Sequence, residues 1–229
     1  MLLAVAGASA ANPTHQFRLD GDLKDDMGGT PLVAAGGTFG ESGYTFGRNQ
    51  GLSLAANLGS SYTIDFQFSF ASYGGYQKIL DFSGLNSDQG LYTVSSNYAF
   101  YPFSSNLGRA AGRNELARVT ITRSQVGVFN LYRDGLRTGS FMDTLGSATQ
   151  RGNVLSFFMD DRATGGSESA AGYVDYIRTF NYALSDTEVK NMSTVLTPVP
   201  EPTSYMMFLA GLGLCGTIIR KRKKTAVSL

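Results

Sequence analysis

Residues 61–70 set the terms for the rest of the chain. Tyr62, Ile64, Phe66, Phe68 and Phe70 recur at every second position, with Thr63, Asp65, Gln67 and Ser69 between them. A period of two puts the apolar side chains on one face of an extended strand and the polar ones on the other. The pattern predicts a half-buried strand in an antiparallel sheet, and an apolar face of this length needs a second layer to cover it.

Other segments repeat this logic in shorter form. Strands are predicted over His15–Leu19, Leu32–Ala34, Tyr44–Phe46, Gly51–Leu54, Lys78–Phe82, Gly90–Val94, Ala117–Arg123, Val154–Met159 and Gly172–Phe180. Val128–Arg133 and Leu136–Phe141 flank Asp134-Gly135, a pair suited to a type I′ hairpin turn because both central residues need positive φ. One helix is predicted near the end, where Ser185-Asp186-Thr187-Glu188 forms a capping box ahead of Val189 and Met192. Many short strands, glycine-rich turns and one short helix specify an all-β, two-sheet antiparallel jelly-roll sandwich. About 180 residues remain between the two termini, enough for one such domain with a sizeable core.

Charge and cysteine content narrow the function. Residues 1–198 hold 14 Lys and Arg against 17 Asp and Glu, so the net charge of +1 hides an acidic domain and a basic tail. There is no basic footprint for nucleic acid. The single cysteine, Cys215, excludes a disulfide within the chain. It reads as a small hydrophobe in an apolar segment, with lipidation as the alternative.

The two termini speak to destination. Residues 1–11 are small and apolar, and Ala8-Ser9-Ala10 fits an A-x-A cleavage site. We read them as a signal peptide whose true start lies upstream; the alternative is that Met1 is the start and export is inefficient. At the other end, Pro200-Glu201-Pro202 lies in a linker over residues 194–202. A segment over 203–224 follows, with an apolar run from Tyr205 to Ile219 and then Arg220-Lys221-Arg222-Lys223-Lys224. The run is near the lower limit for a transmembrane helix, and the basic cluster stays cytoplasmic by the positive-inside rule. Gly211, Gly213 and Gly216 weaken its helix propensity, which suits a span held only until processing.

This order of Pro-Glu-Pro, apolar segment and basic cluster resembles the PEP-CTERM sorting signal of Gram-negative bacteria. The resemblance implies an exosortase-type processing enzyme, a transient stay in the inner membrane, and delivery to the cell surface or an extracellular polysaccharide matrix. An ordinary C-terminal anchor is the alternative. A second resemblance covers residues 15–193. Gly172-Tyr173-Val174-Asp175-Tyr176-Ile177-Arg178 with Ala183-Leu184-Ser185 resembles the closing segment of laminin-G-like domains in the concanavalin A-like superfamily. Leu131-Tyr132-Arg133-Asp134-Gly135 resembles the hairpin of that family. The implied fold is the same jelly roll.

Candidate chemistry is sparse. The five glutamates, at 41, 115, 168, 188 and 201, include no Glu-x-Asp-x-Glu pattern, so the paired carboxylates of a glycosidase strand are not evident. His15 is the only histidine, which disfavours a catalytic triad and zinc. Asp25-Asp26 and Asp160-Asp161, in glycine-rich loops, are candidate calcium ligands. Tyr73, Tyr76, Tyr98, Tyr101 and Phe103 are placed in or beside loops, where an aromatic face can meet a sugar. The expected protein is an exported, non-catalytic recognition module that binds extracellular polysaccharide or a surface protein. Alternatives are a calcium-dependent lectin and a divergent glycan hydrolase or lyase.

Overall fold

A computed structural model of the chain describes residues 11–40 and 42–196. The predicted leader, except Ala11, lies outside the described residues, as do the Pro-Glu-Pro motif, the apolar run and the basic cluster. Among the described residues, fourteen strands and one helix follow in order: β1 (His15–Phe17), β2 (Val33–Ala34), β3 (Thr38–Phe39), β4 (Tyr44–Phe46), β5 (Leu52–Ala55), β6 (Tyr62–Phe70), β7 (Gln77–Asp81), β8 (Gly90–Val94), β9 (Asn97–Tyr101), β10 (Ala117–Arg123), β11 (Val128–Arg133), β12 (Leu136–Met142), β13 (Val154–Phe157), β14 (Gly172–Phe180) and α1 (Asp186–Asn191).

They form two antiparallel sheets. The larger has the order β12-β11-β10-β6-β14-β4-β3, with β1 also paired to β14. The smaller has the order β2-β5-β13-β7-β8-β9. Phe66, Phe68 and Phe70 on β6 meet Phe157 at the end of the opposing strand β13 and Phe158 just after it. Phe100 on β9 meets Phe129 and Phe141. Apolar faces of two sheets interdigitate in this way to form the core of a β-sandwich.

The strand that organises the sequence is central in the large sheet, but it is not half-buried. Thr63 and Asp65 are as inaccessible as Ile64 and Phe66. The outer face of the sheet carries its own cover. Arg118 on β10 and Arg178 on β14 grip the two oxygens of Asp65 at 2.9 and 2.8 Å. Their remaining donors reach the carbonyls of Val189, Met192 and Ser193, at the end of α1 and just beyond. The polar face of β6 is therefore an ion-paired dock for the closing helix. Periodicity cannot distinguish such a face from one that meets water.

The local signals hold where they depend on neighbours in the chain. Asp134 and Gly135 have φ of 51° and 81°, and Arg133 pairs with Leu136 across them. Ser185 caps α1, with the reciprocal bonds of Glu188 in place. Two strands escaped the sequence reading. β3 is only two residues long, and β9 follows a tight turn made by Ser95-Ser96, with φ of 47° and 67°. That turn has no glycine to announce it.

Candidate functional site

The six-stranded sheet has a second, polar face away from the core. Along β8, Leu91 enters the core while Tyr92 points the other way; along β9, Phe100 enters the core while Tyr101 points the other way. Tyr92 stands opposite Ala99, and Gly90 opposite Tyr101. Small residues facing large ones leave room for both tyrosine rings. Gly90 is required for a further reason: a Cβ there would sit 2.2 Å from the carbonyl oxygen of Leu80.

Against the Tyr92 ring lies Lys78, on β7, with no solvent exposure. Its ammonium donates to Asp81 Oδ2 at 3.1 Å, to the Ser87 carbonyl at 3.2 Å, and to Asp161 Oδ2. It also sits 5.0 Å from the centre of the Tyr92 ring. A buried ammonium tolerates desolvation only with such partners.

Asp161 arrives from a loop that begins abruptly. The sequence predicts a strand to Met159, but β13 stops at Phe157 because Phe158 adopts φ of 58°. Its ring stacks on Phe46 at 4.5 Å, so core packing holds a conformation that a bulky side chain rarely adopts. The chain then turns outward. Asp160 and Asp161 are therefore not strand neighbours on opposite faces. Asp161 pairs with Lys78, while Asp160 Oδ2 accepts from Thr164 Oγ1 and the Glu168 amide, both at 2.8 Å.

Above this layer opens a pocket of about 140 Å³, lined by Tyr76, Asp88, Tyr92, Tyr101 and Glu168. Tyr76 and Tyr101 are 44% and 48% exposed, and Tyr92 is 1% exposed. Tyr76 meets Tyr92 edge-on at 5.7 Å. The Tyr92 hydroxyl, Asp88 Oδ1 and Asp160 Oδ1 are buried without a hydrogen-bond partner among the described residues. Burial and then the charge of Asp161 hold the Asp88 carboxyl above its usual range. Burial, then Asp160 and Asp88, do the same for Glu168.

The predicted residues thus separate. Tyr76 and Tyr101 share this pocket, beside the cluster that contains Asp160 and Asp161. Tyr98 is not at a loop: it is fully buried on β9. Phe103 packs on the core, stacked on Phe141 at 5.1 Å. Tyr73 lines a different depression of about 420 Å³, together with Arg109, Arg113, Glu115 and Arg133. Burial pushes the Tyr73 hydroxyl up to about 12.

Asp25 and Asp26 stand elsewhere again, closing the loop after β1. The Asp25 oxygens accept from the amides of Gln16, Met27 and Gly29, and one lies 2.7 Å from His15 Nδ1. Asp26 is held by Arg18. The four aspartates do not converge, and no group of three or more His, Cys, Asp or Glu among the described residues is arranged to hold a metal ion. The sequence reading missed Lys78, Asp81, Asp88, Tyr92 and Glu168 as a site. The one available signal was Lys78 inside an apolar strand, three residues before Asp81.

Residues 46–190 match a family model described as the concanavalin A-like lectin/glucanases superfamily, laminin-G type. Residues 198–223 match the PEP-CTERM protein-sorting motif. No curated protein matches the chain. Among solved structures, a sialidase of Trypanosoma rangeli in complex with 2,3-difluorosialic acid superposes with a TM-score of 0.65 at 15% identity, over 80% of this chain and 33% of the sialidase. The chain therefore spans about a third of that relative. Domain 4 of AbnA, an extracellular arabinanase of Geobacillus stearothermophilus, in complex with arabinotriose, gives 0.59 at 15% identity over 80% of this chain and 98% of the domain. The ligand-binding domain of botulinum neurotoxin serotype D, in complex with N-acetylneuraminic acid, gives 0.57 at 14% over 78% and 49%. At these identities the likeness is one of fold.

Proposed function

The chain belongs to the laminin-G-like members of the concanavalin A-like lectin/glucanases superfamily and ends in a PEP-CTERM sorting motif; from that premise we propose that it is a non-catalytic recognition protein of the cell surface or extracellular matrix, binding carbohydrate in the tyrosine–carboxylate pocket. The motif implies handling by an exosortase-type system and export in a Gram-negative bacterium. The observation that carries the binding role is the pocket itself. Exposed Tyr76 and Tyr101 offer apolar faces, while Asp88, Glu168 and the Tyr92 hydroxyl, unpartnered among the described residues, offer hydrogen bonds. Convergent polar groups in an aromatic-walled cleft are the ordinary makings of a small-ligand site. Its volume, below that of a drug-sized site, suits one sugar unit rather than a long chain.

The test is a glycan array probed with the full chain, alongside Tyr101→Ala. Selective binding that falls about tenfold or more in the variant supports the reading; binding that Tyr101→Ala leaves unchanged places the ligand elsewhere.

A second reading draws on the same pocket. Asp88 and Glu168 line one cleft and both have raised pKa values, as acid–base pairs do. New reducing ends released from a polysaccharide, and lost in both Asp88→Asn and Glu168→Gln, would favour glycan hydrolysis over binding.

A further inference from the structure

We propose that the pocket selects a cationic sugar, a hexosamine unit with a free amino group, whose ammonium sits among Tyr76, Tyr92, Tyr101, Asp88 and Glu168. The inference deepens the carbohydrate-binding role and rests on it.

Charge balance points to a cation. Lys78 is the ammonium of the cluster, and its ion pairs are with Asp81 and Asp161. Asp88, Asp160 and Glu168 form no ion pair with a basic side chain among the described residues. Asp88 and Glu168 therefore share one small pocket, beside Asp160, with no basic side chain paired to either and only the more distant charge of Lys78 opposing them. Burial first, and then repulsion from neighbouring carboxylates (Asp161 and Asp160 on Asp88; Asp160 and Asp88 on Glu168), raises the titration of both. A ligand cation relieves that repulsion, whereas a neutral sugar does not.

The aromatic groups suit the same ligand. Tyrosine faces attract ammonium ions when water is largely excluded. The fold already shows this, with Lys78 Nζ 5.0 Å from the Tyr92 ring centre. The Tyr92 hydroxyl is almost fully buried, lines the pocket and lacks a partner among the described residues. Asp88 Oδ1, also in the pocket lining, and Asp160 Oδ1, outside it, are buried acceptors without a partner among the described residues. An ammonium group brings three donors to such acceptors. A metal ion is a poorer candidate, because no donor set of three or more His, Cys, Asp or Glu forms among the described residues.

The rest of the ligand is inferred from the rim. Tyr76 and Tyr101 are about half exposed and flank the opening. Flat apolar faces at the mouth suit the C–H face of a sugar ring better than the flexible stem of a lysine side chain.

The experiment titrates the full chain with glucosamine oligomers, with the same oligomers fully N-acetylated, and with a lysine-rich peptide. The expected result is binding of the glucosamine oligomers about tenfold or more tighter than either comparator. That preference weakens as salt is raised and is lost in the double variant Asp88→Asn, Glu168→Gln. Equal binding of free and acetylated oligomers that still depends on Tyr101 overturns the amine preference and leaves carbohydrate binding standing. Equal or tighter binding of the lysine peptide shows a general ammonium site and overturns the sugar assignment. No binding of either oligomer, with another glycan bound on the array, also overturns the amine preference; no glycan bound at all overturns both readings. Melting curves of the double variant show that it is folded; should it not fold, Asp88→Asn alone carries the comparison.

Discussion

Arg178 Nε lies 2.8 Å from Asp65 Oδ2, and the Asp65 side chain has no exposure to solvent. Arg118 holds the other oxygen, so one buried carboxylate neutralises part of two guanidinium groups and aims both at the carbonyls that end the domain. The last turn of α1 and residues 192–193 are thereby fixed to the sheet, just before the chain leaves for its sorting motif.

Asp65→Ala is the sharpest test of this dock. It leaves two buried cations without their carboxylate, and breaking a buried pair from one side costs about 3–5 kcal/mol. Chemical denaturation is expected to show a loss of that size. Amide exchange is expected to rise over α1 before it rises over β6. A loss below 1 kcal/mol would mean that water already reaches the arginines.

Lys78→Met is expected to destabilise the fold by a similar amount, about 3–5 kcal/mol, because Asp81 and Asp161 are buried around the ammonium. Asp81 keeps the amides of Ser83 and Leu85 and the Ser83 hydroxyl as donors, whereas Asp161 keeps only the Ala163 amide among the described residues, so the loss concentrates on Asp161 and the loop that it anchors. Protease cleavage within residues 160–168 at a rate unchanged from wild type would contradict this account.

Asp88→Asn is expected to stabilise the protein near neutral pH. The folded-state pKa of Asp88 is raised, chiefly by burial and then by Asp161. A group of this kind binds its proton more tightly in the fold. Its contribution is fully present below the unfolded pKa and is lost as pH rises through the folded one. The amide removes that loss. Melting temperatures of variant and wild type are expected to converge in acid and to separate towards neutrality, with the variant higher. Sites that bind ligands commonly carry such a stability cost.

Gly135→Ala tests the hairpin. Gly135 has φ of 81°, and a Cβ there would meet Lys190 Cα at 3.3 Å. The left-handed conformation alone costs a residue with a side chain roughly 1–2 kcal/mol. A denaturation midpoint equal to wild type would show that the turn can change type without loss.

Replacing Pro200, Glu201 and Pro202 with alanine tests the sorting motif. The expected outcome is full-length protein retained in the inner membrane, read by fractionation and apparent mass. Normal size and normal surface delivery would show that the motif is not the processing signal.

The amino-acid sequence by itself determined what depends on neighbours in the chain. The alternation in β6, the Asp134-Gly135 turn, the Ser185 capping box and the sorting motif are all short-range patterns, and each is legible because a few adjacent residues specify it. The laminin-G-like order of segments followed from the same local signatures. Tertiary structure alone decided the burial of Asp65, since Arg118 and Arg178 reach it from 53 and 113 positions away. It also decided the pocket. Tyr76 and Tyr101 were visible as aromatics, but Asp88, Tyr92 and Glu168 join them through β-sheet register and through the turn at Phe158. Lys78 and Asp161 are separated by 83 positions. A sequence can show that a residue carries charge. Whether that charge meets water or another charge is settled by which strands pair and which loop folds over them.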